Sequence, residues 1–204
     1  MIYFTPNQNP NAGFSLVETL VAIAILLIII VGPMSIATNS ANSTSFANQQ
    51  VMAYFLAQEG LELAQKGRDD FLLSAFDNAS DEGDNDAWDD FTRSNGQFRD
   101  CFRNDGCSLE IDDGSVGTVI VDRCQNATDC RLYLTTDANK RSKYTYDDSN
   151  NAEITDFTRI ITMEAQPDPN KDVLVTSVVS WRTGNQIAVQ STTATTYLYN
   201  VYGR

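Results

Sequence analysis

The stretch that decides the fold is FSLVETLVAIAILLIIIVGPM, residues 14–34, close to the N-terminus. Glu18 is its one ionisable residue, and residues 20–31 carry only hydrocarbon side chains. At ~1.5 Å rise per residue, a helix of this length extends ~31 Å, which matches the ~30 Å hydrocarbon core of a bilayer. The sequence therefore predicts a membrane-spanning helix over residues 14–34.

The carboxylate of Glu18 is unexpected in such a helix. A charged side chain at mid-membrane costs ~2.5–3.5 kcal/mol on insertion scales, and less towards the end of the span. We therefore expect Glu18 to have a function that offsets this cost.

The segment AGFSLVETLVAIAILL, residues 12–27, resembles the N-terminus of a type IV prepilin. In that family a polar leader ends in Gly, cleavage precedes a Phe, and a Glu stands at the fifth mature position; Gly13, Phe14 and Glu18 match these positions. The resemblance implies that prepilin peptidase, a membrane aspartyl peptidase, cleaves after Gly13 and N-methylates Phe14. It also implies that the carboxylate of Glu18 meets the terminal amine of a neighbouring subunit during assembly.

The function implied by the resemblance is that of a structural subunit, a minor pilin of a type IV pilus or pilus-like filament, and not an enzyme. Its partners would be other pilins in a helical filament, the prepilin peptidase, the membrane, and the pilus or secretion assembly machinery. The protein would first be a single-pass membrane protein with an extracytoplasmic head, and later part of a cell-surface or periplasmic filament.

Two alternatives remain open at this point. A pseudopilin of a type II secretion system has the same N-terminal features. A protein of another class would use residues 20–31 as the apolar core of a secretory signal and release a soluble, acidic binding protein after Ala37. The mature N-terminus separates the pilin-type interpretations from the secreted protein. It is a methylated Phe14 in a pilin or pseudopilin and Thr38 in the secreted protein.

The rest of the chain predicts an α+β protein, with a long helical spine and a small antiparallel β-sheet head. We expect a leader over residues 1–13, a helix over 14–67 with a kink or melted turn at Gly32 and Pro33, and a head over 68–204. Gly67 is the expected helix stop. Residues 54–71, YFLAQEGLELAQKGRDDF, are similar to the helix end of minor pilins.

Three β-rich runs follow near the C-terminus and predict an antiparallel meander. They are separated by the turn signals PDPN and TGN and cover residues 156–166, 171–184 and 186–200.

Charge and composition exclude several classes of function. The chain has 27 acidic and 14 basic residues, for a net charge of -13, which disfavours nucleic acid as a partner. Histidine is absent, so Ser-His and Cys-His nucleophile pairs and His-ligated metal sites are excluded.

The acidic charge is concentrated in the middle of the chain, and its centre is DNASDEGDNDAWDD, residues 77–90. Calcium selects oxygen-rich loops, and Asp81, Asp84 and Asp86 are the candidate ligands. Their spacing differs from that of an EF-hand, and a solvated acidic loop without any cofactor is the competing interpretation.

Four cysteines form two C-x5-C pairs: Cys101 with Cys107, and Cys124 with Cys130. A zinc site favours shorter spacings, so disulfides in an exported head are the better interpretation. Turn signals inside both intervals favour the local pairs. The alternative is a hairpin centred on residues 114–117, which would place Cys101 opposite Cys130 and Cys107 opposite Cys124.

Overall fold

The computed structural model describes residues 15–77, 83–93, 95–112, 117–126, 128–136, 141–148, 152–167, 172–184 and 188–200. By its internal contacts the chain divides into two compact units, Met1–Ser45 and Phe46–Arg204. The helices of this described part are α1 (Leu16–Asp77) and α2 (Gly83–Thr92). Its strands are β1 (Cys107–Ile111), β2 (Val119–Arg123), β3 (Arg131–Thr136), β4 (Ser142–Thr145), β5 (Glu153–Ala165), β6 (Asp172–Trp181) and β7 (Gln190–Tyr199).

A long N-terminal helix followed by an antiparallel sheet confirms the predicted α+β, pilin-like class. Strands β5, β6 and β7 form the predicted meander. Strand β5 is the centre of the sheet, because its other edge pairs with β3 and, at Ile161, with Cys107 of β1. Strands β2 and β4 extend the sheet as the partners of β1 and β3.

The inner face of the sheet is set by the alternation of buried and half-exposed residues along β5 and β6. Every second residue of β6 is buried, and these residues include Val173, Val175, Val179 and Trp181. They share two apolar clusters with side chains of α1 from Ala53 to Ala64. The core of the second unit therefore lies between this face of the sheet and α1.

Small residues bring α1 close to the sheet. Ala53, Ala57 and Ala64 are fully buried, whereas Leu61 is only partly buried. A Cβ atom added at Gly60 would lie 2.5 Å from Ser177 Oγ. The sheet packs against the helix backbone at this point because Gly60 has no side chain.

The predicted helix stop at Gly67 is wrong, because α1 continues to Asp77. Residues 46–77 of α1 belong to the second compact unit. A Cβ atom at Gly67 would lie 2.2 Å from Cζ of Phe98. Gly67 makes room for this buried ring, and Phe71, one turn later, packs edge-on against it.

Of the predicted kink or melted turn at Gly32 and Pro33, the melted turn is absent, since α1 continues as one helix through Pro33. The kink stays a prediction. Proline removes one amide donor from a helix. The donors of the neighbouring residues keep the rest of the hydrogen-bond ladder in place.

The acidic middle of the chain contains more regular structure than the sequence predicts. Helix α2 forms within the run expected to be a loop, because Trp88 and Phe91 bury one side of it against Phe98. Strands β1 to β4 follow, and none of them was predicted as a strand.

Both disulfides are local: Cys101 is bonded to Cys107, and Cys124 to Cys130. The hairpin of the alternative pairing does exist, as β1 and β2. Its register pairs Cys107 with Arg123, one residue short of Cys124. Successive residues of a strand point to opposite faces, so a shift of one residue rules out the nested bonds.

We predict that Gly67→Ala destabilises the head by about 1–3 kcal/mol, because the new methyl group overlaps the buried Phe98 ring. This loss outweighs the helix propensity of alanine, which would favour the variant by about 1 kcal/mol. Thermal unfolding of the full-length protein in detergent, followed by near-UV circular dichroism, measures the change.

Gly32→Ala is the matched control, because a Cβ atom there meets no described atom within 4 Å. An unfolding midpoint for Gly67→Ala equal to that of Gly32→Ala would contradict the packing role of Gly67.

Candidate functional site

The first half of α1 presents a continuous apolar surface. Every Leu, Ile, Val and Met side chain of residues 16–36 is exposed, from 49% at Val21 to 78% at Leu16. Within the described residues, α1 is the helix that is long and apolar enough to cross a membrane. Apolar patches of this extent are covered by lipid or by other proteins in the cell.

Glu18 lies in the first turn of α1, with its side chain exposed. A carboxylate in the first turn is favoured by the partial positive charge of the helix N-terminus. No Lys or Arg precedes Lys66 in the sequence, so the unit Met1–Ser45 contains no basic side chain.

The other predicted site residues are placed as follows. Gly13, Phe14 and Asp81 lie outside the described residues, and Asp84 and Asp86 lie in α2. Among the described residues, no group of three or more Cys, Asp or Glu side chains is arranged to hold a metal ion. Calcium binding stays a prediction from the sequence. Ala37, the alternative cleavage position, lies inside α1.

Residues 8–32 match the family model of the prokaryotic N-terminal methylation motif. The chain carries the class III signal of type IV pilins and pseudopilins. The match includes Gly13, Phe14 and Glu18, the three residues of the predicted leader and assembly site. No curated protein and no solved structure matches the chain.

This motif is that of type IV pilin-like and pseudopilin-like proteins, a class of structural proteins. Such proteins assemble with other pilins and are processed by prepilin peptidase. Together with the exposed apolar helix, the motif indicates a membrane-anchored protein of the cell surface or periplasm.

Within the head, one buried cation ties α1 to the sheet. Arg159 of β5 is only 2% exposed. Its Nη1 donates to the Leu56 carbonyl at 3.1 Å and to Oε2 of Glu59 at 2.8 Å, both on α1. Its Nη2 donates to the Leu109 carbonyl of β1 at 3.2 Å, and its Nε donates to Oη of Tyr146 at 2.7 Å. We call these contacts the Arg159 clamp.

Tyr146 makes further contacts with Arg159 and with β1. Its ring lies 5.2 Å from Cζ of Arg159, its hydroxyl donates to the Arg159 carbonyl, and its backbone amide donates to Oε2 of Glu110 at 3.0 Å. Burial raises the pKa of the Tyr146 phenol, and the neighbouring guanidinium offsets only part of that rise. Burial also opposes the charge on Arg159, but the oxygens of Tyr146 and Glu59 outweigh it and raise the pKa of the guanidinium.

The sequence of β5 contains a pattern from which the burial of Arg159 can be predicted. Phe157, Arg159, Ile161 and Met163 occupy alternate positions of β5, and all four are buried. An arginine in the inward register of an otherwise apolar strand must have buried acceptors, because an unpaired buried charge is very costly.

We predict that Arg159→Met lowers the free energy of unfolding of the head by about 3 kcal/mol, because the carbonyls of Leu56 and Leu109 lose the guanidinium that donates to them. Chemical denaturation followed by tryptophan fluorescence measures the loss. Arg93→Met is the control: its ion pair with Asp90 is half-exposed, so its loss costs less than about 1 kcal/mol. Equal losses in the two variants would show that the Arg159 clamp stabilises the head no more than an exposed ion pair does.

We also predict that the stability of the head falls at alkaline pH. The folded state raises the pKa of Tyr146 above its usual 10.0, so folding holds the phenolic proton more tightly than the unfolded chain does. This contribution is fully present below pH 10.0 and is lost as the pH rises through the raised value.

Tyr146→Phe cannot lose that proton. Its free energy of unfolding, measured from neutral pH to above pH 10.0, should therefore fall less steeply than that of the wild type. Identical slopes would exclude Tyr146 as the source of the alkaline loss.

Proposed function

We propose that this chain is a minor subunit of a type IV pilus or pilus-like filament. It is inserted in the membrane as a prepilin, cleaved after Gly13, N-methylated at Phe14 and assembled through the first half of α1. The observation that carries the proposal is the methylation motif at residues 8–32, which overlaps the start of a helix whose apolar side chains are exposed.

The apolar surface of residues 16–36 supports assembly through this helix. In the membrane, lipid covers the surface; in a filament, the equivalent helices of neighbouring subunits take the place of lipid. Helices leave lipid for a protein environment without a large hydrophobic cost, because both surroundings are apolar. The polar contacts between helices then decide how the subunits dock.

Glu18 supplies such a contact. Cleavage after Gly13 creates an amine on Phe14, and methylation leaves that amine charged. An unpaired ammonium or carboxylate buried among apolar helices costs several kcal/mol, so each subunit gains by pairing its Glu18 with the Phe14 amine of a neighbour. With no basic side chain before Lys66, this amine is the partner that the motif provides.

The head supports an extracytoplasmic location. Its two disulfides require an oxidising compartment, which is the surface or periplasmic side of the membrane. A type II secretion pseudopilin has the same motif and would use the same assembly contacts to drive export.

We predict that Glu18→Ala is inserted and cleaved like the wild type but fails to assemble. Alanine makes the span more apolar, while the Phe14 amine of the neighbour loses its counter-charge in the filament core. The ratio of filament-incorporated to membrane-resident mature subunit should fall about tenfold or more, corresponding to at least ~1.4 kcal/mol. Glu62→Ala, an exposed carboxylate of the same helix in the other unit, is the control with a wild-type ratio.

Two further measurements separate processing from assembly. Gly13→Val should leave uncut precursor in the membrane, because a larger side chain obstructs the peptidase at the scissile bond. Mass spectrometry of the mature wild-type N-terminus should find methylated Phe14. A mature protein beginning at Thr38 would overturn the proposal in favour of a secreted protein, and an unchanged ratio for Glu18→Ala would remove the role of Glu18.

A further inference from the structure

A groove crosses the outer face of the sheet where β3, β5 and β6 lie side by side. Its volume is about 330 Å³. Ile154, Trp181 and Val189 form the apolar part of its lining. The rest of the lining is polar and includes Arg131, Asp156, Thr158, Ser180 and Arg182. We call it the arginine groove.

The sheet register places these side chains next to one another. Arg131 of β3 pairs with Thr158 of β5, and Thr158 pairs in turn with Ser180 of β6. Directly paired residues share a face and have Cβ atoms about 4.5–5.5 Å apart. Arg131, Thr158 and Ser180 therefore place one guanidinium and two hydroxyl groups on the same side of the sheet.

The groove coincides with a β-bulge. Between Arg131 and Tyr133 the register with β5 shifts, because their partners are Thr158 and Ile154. The Thr155 hydroxyl stabilises the bulge by donating to the Leu132 carbonyl at 2.5 Å and accepting from the Phe157 amide at 3.3 Å. Bulges of this kind often redirect side chains at binding sites.

The disulfide next to Arg131 holds this end of the groove. Cys130 is bonded to Cys124, and its carbonyl accepts a hydrogen bond from the Arg159 amide at 3.0 Å. The backbone immediately before Arg131 is therefore held by a covalent bond and by a hydrogen bond.

The two arginines of the groove differ from most basic residues of this acidic chain. Neither Arg131 nor Arg182 forms an ion pair with any residue that the structure describes. By contrast, each of five other arginines lies within 4.0 Å of an aspartate: Arg68, Arg93, Arg99, Arg103 and Arg123. The groove also contains Asp156, so its side chains carry a net charge of about +1 in a chain of net charge -13.

We propose that the arginine groove binds a carboxylate group of a neighbouring protein subunit. A guanidinium offers paired N–H donors that match the two oxygens of a carboxylate, and the hydroxyl groups of Thr158 and Ser180 add donors beside it. Asp156 repels a dianion such as phosphate more strongly than a single carboxylate. The net charge of -13 makes most of this chain repel acidic partners, and the groove is a place where a neighbour's acidic side chain is attracted instead.

The identity of the partner as a neighbouring subunit rests on the proposed function, whereas the binding of a carboxylate does not. The test therefore uses the unassembled, full-length protein in micelles of an uncharged detergent. Acetyl-Glu-Glu-Glu-amide is titrated against protein labelled with 15N-arginine, and acetyl-Gln-Gln-Gln-amide is the matched uncharged probe. Saturable shifts of the Arg131 and Arg182 side-chain signals are expected with the glutamate peptide alone.

Arg182→Gln tests the groove without disturbing the sheet, because Arg182 is exposed and lies just after the end of β6. It should weaken peptide binding about tenfold or more. Arg131→Lys keeps the charge but loses the paired donors, and it should weaken binding while the thermal midpoint is retained. Arg93→Gln removes an exposed arginine elsewhere and should bind like the wild type.

Several outcomes would overturn the proposal: no saturable binding, equal binding of the glutamine peptide, unchanged binding by Arg182→Gln, or tighter binding of inorganic phosphate than of the glutamate peptide. The assay involves neither cleavage nor assembly. A negative result here would leave the role of Glu18 untouched, and a failure of the Glu18 experiment would leave carboxylate binding intact.

Discussion

The rest of the head depends on the position of one buried guanidinium. Arg159 donates to carbonyls of two different elements, α1 and β1, and to the hydroxyl of Tyr146. Breaking one of these hydrogen bonds costs free energy, because the buried donor or acceptor loses its partner and cannot form a hydrogen bond with water instead. The position of α1 along the sheet is therefore fixed by hydrogen bonds, which are directional, as well as by apolar contacts, which are not.

Close packing follows from that fixed position. Gly60 and Gly67 lie where the sheet and the Phe98 ring leave no room for a Cβ atom, and the aromatic side chains around Phe98 continue the contact beyond Gly67. The two disulfides hold the segments that lead into β1 and β3. The head is thus held by hydrogen bonds, close contacts and covalent bonds that are all contained within the unit Phe46–Arg204.

The N-terminal unit has the opposite character. The large apolar side chains of residues 16–36 are exposed, and Glu18 has no basic side chain in the same unit. In the proposed function both needs are met by other molecules: lipid or neighbouring helices for the apolar surface, and a terminal amine for the carboxylate. The methylation motif is located in this part of the chain, where the protein is chemically incomplete by itself. The arginine groove extends the same reasoning to the surface of the head.

The sequence by itself determined the features that depend on neighbours along the chain. The apolar run, the positions of Gly13, Phe14 and Glu18, and the C-terminal meander are read from contiguous composition, fixed spacing and period-two alternation. Only the tertiary structure decided that α1 passes Gly67, that Trp88 and Phe91 form a helix, that Cys107 misses Cys124 by one residue, and that Arg159 is buried. These outcomes depend on the Phe98 ring, on the register of β1 with β2, and on acceptors distant in sequence. Local patterns do not encode such partners, since they become neighbours only when the sheet packs against the helix.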